Sequence, residues 1–386
     1  METIYPRFFK VPSTNYFLFG PRGTGKSTLL KLLYPEALVV DLLLPDVYRK
    51  YLARPERLIE LIRGNPDKKT IIVDEVQKVP EILSVVHSLI EQDKTLQFIL
   101  TGSSARKLRR GGVDLLAGRV LLRTLHPFML AEIPNRIPFD EVIKHGLLPI
   151  VIDSPNPFDV LETYIALYIR EEVQIESQIR NISNFSRFLE SISFSNGSVL
   201  NVSNIARECQ IERKVVEGYV KILEDILLAF RLPVFSRRVQ RKLVVHPKFY
   251  FFDTGIYTTL RPTGALDRPE EVAGIALEGL VAQHLMAWKA YRGNDFELSY
   301  WRSLDGMEVD FILYGAEAFF AIEVKNTGRV RPEDLRGLSA FLRDYPDSQA
   351  IFLYRGTEKL HIKNILCLPC EDFLKNLRPD VLLPIN

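Results

Sequence analysis

Hydrophobic positions in the first third of the chain form short, continuous runs. These runs lie at residues 16–19, 37–44, 70–73 and 96–100, and each has the length and composition of a strand buried on both faces. Segments with helical spacing lie between them, at residues 28–33 and 82–90. Because strands alternate with helices, the pattern predicts βαβ units and a parallel sheet.

In the middle of the chain the hydrophobic spacing becomes helical. Residues 158–194 follow this spacing, and Asn196-Gly197 ends it. The elements predicted next are a short helix, a tight turn, a longer helix and two strands, at residues 202–209, 210–211, 212–226, 227–235 and 248–252. Two helices joined by such a turn are typical of a helix-turn-helix.

The last third of the chain predicts a second α/β unit. It opens with an amphipathic helix at residues 272–291, whose apolar stripe consists of Leu277, Val281, Leu285 and Trp288. The predicted elements that follow are a strand, a strand, a helix and a strand, at residues 307–313, 321–325, 335–342 and 350–354.

The most specific motif follows the first predicted strand, where residues 20–27 fit the pattern G-x-x-x-x-G-K-[ST]. A glycine-rich loop between a strand and a helix directs backbone N–H groups and the helix N-terminus at one anion. We therefore predict ATP binding by Gly20, Pro21, Arg22, Gly23, Thr24, Gly25, Lys26, Ser27 and Thr28. In this site Lys26 would contact the β and γ phosphates, and Ser27 would hold Mg²⁺.

Polar side chains end the third and fourth predicted strands. Asp74 and Glu75 follow one of them, and we assign Asp74 to Mg²⁺ and Glu75 to the attacking water. Thr101 and Ser103 follow the other, and either is a candidate for orienting that water or sensing the γ phosphate. A hydroxyl-rich turn that merely ends the strand is the alternative.

Two groups of basic residues are further candidates. Arg119 follows a segment rich in arginine and is the candidate finger for completing a neighbouring subunit's ATP site, with a solvated surface arginine as the alternative. A basic wing after the helix-turn-helix consists of Arg237, Arg238, Arg241 and Lys242. Contact with DNA phosphates is the predicted role of the wing, and a solvated hairpin or a protein joint is the alternative.

A second charged constellation lies in the last third. Asp310 and Glu323 stand on two predicted strands, Lys325 follows Glu323 by two positions, and Glu278 lies on the preceding helix. The D…E-x-K spacing resembles the PD-(D/E)XK nuclease core. That resemblance implies that Asp310 and Glu323 bind Mg²⁺ or Mn²⁺ with help from Glu278, and that Lys325 positions or activates water. A decayed nuclease fold kept as a binding surface is the alternative.

Composition narrows the class of protein. The 386 residues suggest two or three domains, and 50 basic residues nearly balance 48 acidic ones, so a nucleic-acid surface would be a local patch. Three cysteines without an extracellular spacing pattern favour a reducing cytoplasm, and we interpret Cys367 and Cys370 as structural, with metal a minor option. We expect neither secretion nor a membrane span.

The chain resembles the prokaryotic AAA-type ATPases that carry a winged helix and a carboxyl-terminal domain of unknown function, in the stretches GPRGTGKST, IIVDEVQKVP, FILTGSSARKL and LAGR. The resemblance covers nearly the whole chain. We expect an α/β protein with an AAA-like P-loop domain, a helical lid or linker, a winged helix and a restriction-endonuclease-like α/β domain, at residues 1–125, 126–183, 184–260 and 261–386.

These predictions lead to a cytoplasmic, Mg²⁺-dependent ATPase with DNA as a partner and a homo-oligomer as its assembly. In the main hypothesis the nucleotide state controls DNA binding and metal-dependent DNA cleavage. In the alternative, the protein is a nucleotide-driven switch whose last domain binds DNA or protein without catalysis. A small-molecule kinase is a third class, which the Asp74-Glu75 pair and the long DNA-binding-like tail disfavour.

Overall fold

The computed structural model describes residues 5–103, 116, 118–169, 182–236, 246–293 and 295–385. The chain divides into two compact units. The P-loop unit consists of Phe9–His126 and Asp225–Leu227, and the large unit consists of Met1–Phe8, Pro127–Glu224 and Leu228–Asn386. The predicted four-domain division stays a prediction.

The P-loop unit is built on a five-stranded parallel sheet with the order β2-β3-β4-β1-β5. Its strands are β1 Tyr16–Phe19, β2 Leu38–Asp41, β3 Thr70–Asp74, β4 Gln97–Gly102 and β5 Leu121–Thr124. Its helices are α1 Lys26–Leu33, α2 Pro45–Ala53, α3 Arg57–Arg63 and α4 Ile82–Gln92. Buried side chains of the central strands, such as Phe17, Val73 and Phe98, form its core with α4.

The predicted parallel α/β arrangement of this unit is confirmed, with two differences in detail. Strand β2 is shorter than predicted, because a turn follows Asp41 and Pro45 begins α2. Strand β5 was not predicted. It is an edge strand whose Leu121 and Leu122 are exposed, and Arg123 interrupts its apolar run in the sequence.

The middle of the large unit is helical, as predicted. Its helices are α5 Phe139–His145, α6 Pro149–Ile152, α7 Pro157–Thr163, a π-helical turn Tyr164–Ile169, α8 Ile182–Ser193, α9 Val202–Cys209, α10 Arg213–Asp225 and α11 Thr254–Leu260. A three-stranded antiparallel sheet accompanies them, with strands β6 Ser198–Val199, β7 Ala229–Leu232 and β8 Lys248–Phe251 in the order β6-β8-β7.

Helices α9 and α10 lie where the helix-turn-helix was predicted. The side chain of Asn201 caps α9 by accepting a hydrogen bond from the Asn204 amide at 3.1 Å. Gln210 ends the helix in the left-handed conformation, with φ of 55°. The winged-helix assignment itself stays a prediction, and its basic wing of Arg237, Arg238, Arg241 and Lys242 lies outside the described residues.

The carboxyl-terminal part of the large unit is a mixed six-stranded sheet with the order β13-β14-β12-β11-β10-β9. Its strands are β9 Phe296–Arg302, β10 Glu308–Gly315, β11 Phe319–Lys325, β12 Gln349–Tyr354, β13 Leu360–Ile362 and β14 Ile365–Pro369. Its helices are α12 Pro269–Arg292, α13 Arg336–Asp344 and α14 Cys370–Asn376. The predicted elements are present, whereas β9, β13 and β14 were not predicted.

Two further observations bear on the sequence-based expectations. All three cysteines are buried and free, and burial raises the pKa of the Cys367 and Cys370 thiols to about 11 and about 12. Across the described ranges, every helix is too short or too polar to cross a membrane.

Candidate functional site

The phosphate loop connects β1 to α1 at the carboxyl edge of the parallel sheet. Its Gly23 and Gly25 have φ of 81° and 85°, a backbone conformation that residues with a Cβ rarely adopt. A Cβ at Gly20 would lie 2.6 Å from the carbonyl oxygen of Leu125, so this glycine is required by close backbone packing. The glycine spacing of the motif thus has a direct steric cause.

Lys26 points back into this loop. Its side chain is buried, and Nζ donates to the carbonyl oxygens of Gly20 at 2.6 Å and Pro21 at 3.2 Å. The hydroxyl of Thr24 also donates to the Pro21 carbonyl, at 2.8 Å. The loop therefore surrounds its own ammonium group, while the side chains of Arg22, within the loop, and Thr28, just after it, are exposed.

Ser27 and Asp74 meet at the end of β3, as the sequence led us to expect for a magnesium site. The Ser27 hydroxyl donates to Asp74 Oδ2 at 2.7 Å, and the hydroxyl of Thr101 on β4 donates to Asp74 Oδ1. A hydroxyl and a carboxylate are hard oxygen ligands of the type that Mg²⁺ takes beside nucleotide phosphates. These residues fit Mg²⁺.

Glu75 is held in an unusual conformation next to this pair. Its φ is 57°, in the left-handed region, and its amide donates to Thr101 Oγ1 at 3.0 Å. The carboxylate accepts a hydrogen bond at 2.5 Å from Nε2 of Gln77, which also donates to Ser103 Oγ at 3.1 Å. Both amide hydrogens of Gln77 are therefore used to join Glu75 to Ser103.

Gln77 was not among the predicted site residues. Its side chain is 7% exposed, and a Cβ at Gly102 would lie 2.6 Å from Gln77 Oε1, so the glycine after Thr101 leaves room for this amide. A polar residue two positions after the Asp74-Glu75 pair, between the apolar Val76 and Val79, was the available signal.

Arg119, the candidate finger, lies just before β5. Its guanidinium forms an ion pair with Glu91 at the end of α4, and the two side chains are 41% and 46% exposed. The structure thus places Arg119 on the surface of the P-loop unit. Its action on a neighbouring subunit stays a prediction.

The second constellation, in the large unit, is brought together. Strands β10 and β11 pair in antiparallel register at Phe311 and Ile322, which places Asp310 beside Glu323. Asp310 Oδ2 accepts from the Val324 amide at 2.9 Å, and Lys325 Nζ lies 2.6 Å from Glu323 Oε1. Glu278 approaches from α12.

A residue that the pattern did not include lies in the middle of this group. Lys248, on β8, is 1% exposed, and its Nζ lies 3.0 Å from Glu278, 2.6 Å from Glu308 and 3.2 Å from Asp310. The hydroxyl of Tyr250 donates to Glu278 at 2.6 Å. We call Lys248, Glu278, Glu308 and Asp310 the lysine cluster.

Burial and mutual repulsion raise the pKa values of two acidic side chains in this group. Burial, and then the charge of Asp310, raises the pKa of Glu278 to about 7. The same two causes raise the pKa of Glu323 well above its usual range. Burial disfavours the charged form of Lys248, but Glu278, Tyr250, Asp310 and Glu308 outweigh it and raise the Lys248 pKa well above its ordinary value.

Lys248 was not predicted as a member of this site, and Glu308, which shares a strand face with Asp310, was given no role in it. The signal was a lysine at the head of the aromatic strand Lys-Phe-Tyr-Phe, because lysine is almost never fully buried unless it is paired. Its partners lie 30 to 62 positions farther along the chain, so spacing alone does not connect them.

Comparison with protein families found matches in three stretches of the chain. Residues 13–134 match the family described as AAA domain, which supports an AAA-type, nucleotide-binding ATPase. Residues 138–267 and 273–373 match two families described as domains of unknown function, DUF8612 and DUF4143. A comparison with curated proteins gave no match.

Two solved structures show distant likeness. "Replication initiator DnaA bound to AMPPCP and single-stranded DNA" is 14% identical, with 55% of this chain and 82% of that chain covered and a TM-score of 0.26. Protein VC1899 from Vibrio cholerae is 11% identical, with 95% and 96% covered and a TM-score of 0.21. At such scores neither likeness carries an argument.

Proposed function

We propose that the P-loop unit binds ATP with Mg²⁺ and hydrolyses it. The observation that carries this proposal is the continuous hydrogen-bonded chain beside the phosphate loop, which consists of Ser27, Asp74, Thr101, Glu75, Gln77 and Ser103. It joins a magnesium-type oxygen pair to a carboxylate suited to orient water, at the edge where a parallel sheet binds its ligand.

Each residue then has one role. The loop amides and Lys26 bind the phosphates, with the ammonium exchanging its contacts to Gly20 and Pro21 for phosphate oxygens. Ser27 and Asp74 hold Mg²⁺, which neutralises charge on the phosphates when it is bound. Glu75 orients and deprotonates the attacking water, and Ser103 senses the γ phosphate.

The test of nucleotide binding is a pair of lysine variants on the same helix. Lys26→Ala should abolish binding of a fluorescent ATP analogue in Mg²⁺, because it removes the phosphate-contacting cation. Lys31→Ala, at an exposed position of α1, should bind as the native protein does. Binding of the ATP analogue by both variants with the affinity of the native protein would exclude the loop as the nucleotide site.

We further propose that the nucleotide state controls the large unit, with DNA as its partner and a homo-oligomer as the working form. The proposal is supported by α9 and α10, two helices joined by a short turn at Gln210, an arrangement that resembles a helix-turn-helix. The basic residues predicted to contact phosphates follow this motif in the sequence.

For the carboxyl-terminal sheet the sequence left two roles, metal-dependent DNA cleavage and non-catalytic binding of DNA or protein. We favour the non-catalytic role, because Lys248 Nζ lies among the carboxylates that a catalytic metal would need. Incubation of the protein with single-stranded, duplex and branched DNA, in Mg²⁺ or Mn²⁺ and with or without ATP, tests this choice. Metal-dependent cleavage that Asp310→Ala abolishes would restore the nuclease hypothesis.

A further inference from the structure

The ammonium group of Lys248 lies among the three carboxylates of the lysine cluster. It has three N–H donors, and it lies within 3.2 Å of one carboxylate oxygen each from Glu278, Glu308 and Asp310. It also lies 5.6 Å from the centre of the Tyr300 ring, a distance at which the ring face attracts a cation. These groups therefore form a cation-binding site that is occupied by a side chain of the protein itself.

This arrangement does not fit a bound divalent metal. Asp310 would be the central ligand, yet its Oδ1 faces Lys248 and its Oδ2 accepts the Val324 amide hydrogen. A metal ion at Asp310 or Glu278 would lie next to a buried like charge, which opposes binding strongly where water is excluded. Within the described ranges, no group of three His, Cys, Asp or Glu side chains is arranged to hold a metal.

Glu323 supports the same conclusion. Its Oε1 pairs with Lys325, while its buried Oε2 has no hydrogen-bond partner in the described part of the chain. A divalent metal at Glu323 would lie beside the ammonium group of Lys325 and close to that of Lys248, so two cations of the chain oppose it.

We propose that Lys248 is the resident cation of the lysine cluster, in place of a divalent metal, and that the cluster fastens β8 to α12 and β10. This inference rests on the proposed non-catalytic role of the carboxyl-terminal sheet. It gives a role to the segment Lys-Phe-Tyr-Phe, whose lysine begins a strand paired with Val199 and Leu232. The fastened elements belong to the large unit alone.

The experiment compares Mn²⁺ binding and thermal unfolding of native protein and variants, without nucleotide. The native protein should bind no Mn²⁺ that depends on Asp310, as measured by electron paramagnetic resonance with Asp310→Asn for comparison. Lys248→Met keeps the volume but leaves three carboxylates without their cation, so its Tm should fall by on the order of 10 °C. Mn²⁺ should restore part of that loss, because the vacated carboxylates can then bind it.

Lys248→Arg is the matched control, since it retains the charge and should bind no Mn²⁺. If Lys248→Met does not fold, the triple variant with Glu278→Gln and Asp310→Asn should fold again, because it removes two of the three charges and Glu308 keeps Arg302 as its partner. Asp310-dependent Mn²⁺ binding by the native protein overturns the proposal. A Tm of Lys248→Met equal to that of the native protein overturns it as well.

The failure of this inference is distinguishable from the failure of the non-catalytic role. Mn²⁺ bound at Asp310 without DNA cleavage would overturn the assignment of Lys248 and leave the non-catalytic role standing. DNA cleavage that Asp310→Asn abolishes, in a protein that binds no Mn²⁺ at Asp310, would overturn the non-catalytic role and leave the assignment of Lys248 standing.

Discussion

Replacement of Gln77 by methionine should slow ATP hydrolysis while leaving ATP binding nearly unchanged. Methionine fills a similar volume in the space that Gly102 provides, but it donates no hydrogen bond. Glu75 would no longer accept the 2.5 Å hydrogen bond from Nε2, and Ser103 would no longer accept the 3.1 Å one. The Glu75 carboxylate would then no longer be held in the orientation in which it contacts the attacking water.

The expected decrease in kcat follows from the loss of these hydrogen bonds. A hydrogen bond to a charged group contributes about 1.5–3 kcal/mol, and each ~1.4 kcal/mol of barrier is a factor of about ten in rate. The kcat of Gln77→Met should therefore fall roughly 10- to 100-fold. The KM for ATP should stay within about twofold of the native value, because the nitrogen of Gln77 contacts Glu75 and Ser103 rather than the phosphate loop.

Steady-state phosphate release, measured over a range of ATP concentrations, separates kcat from KM. Gln92→Met is the matched control, because Gln92 makes a comparable 2.9 Å hydrogen bond to Ser88 on the exposed face of α4. An unchanged kcat in Gln77→Met would refute the orienting role. A raised kcat would show instead that Gln77 restrains Glu75.

Two further predictions concern the arginine-rich segments. If Arg119 acts on a neighbouring subunit, inactive Arg119→Ala mixed with inactive Lys26→Ala should recover some ATPase activity, and a monomer by light scattering with ATP bound would contradict this. Alanine at Arg237, Arg238, Arg241 and Lys242 should weaken binding to all DNA sequences alike. The slope of log K against the logarithm of the salt concentration should fall by roughly one unit for each phosphate that the wing no longer neutralises. An unchanged slope would show that the wing is solvated surface.

The P-loop unit was predictable because its signals are local. The residues of the phosphate loop are contiguous in the sequence, and continuous buried strands place Asp74 and Thr101 at the same sheet edge. Strand β5 was not predicted, because its apolar run in the sequence is short and ends at Arg123. The hydrogen bonds of Gln77 were not predicted either, because they depend on the left-handed turn at Glu75 and on the missing Cβ of Gly102.

The charged constellation of the large unit shows a different limit. Alternation along a strand placed Glu323 and Lys325 on one face, and the resemblance to the nuclease core added Asp310 and Glu278. The sequence offered no rule that brings Lys248 into the same group, since that ion pairing depends on how β8 packs against α12 and β10. Residue spacing predicted the carboxylates, and tertiary packing supplied their cation.

The central claim, ATP hydrolysis by Glu75 at the phosphate loop, is tested most directly by Glu75→Gln. The amide keeps the shape of the side chain but cannot take the proton of water, so the variant should bind ATP and Mg²⁺ as tightly as the native protein. Phosphate release in a single turnover should fall at least about 100-fold. Native rates of phosphate release by Glu75→Gln would contradict the assignment of Glu75 as the group that activates water.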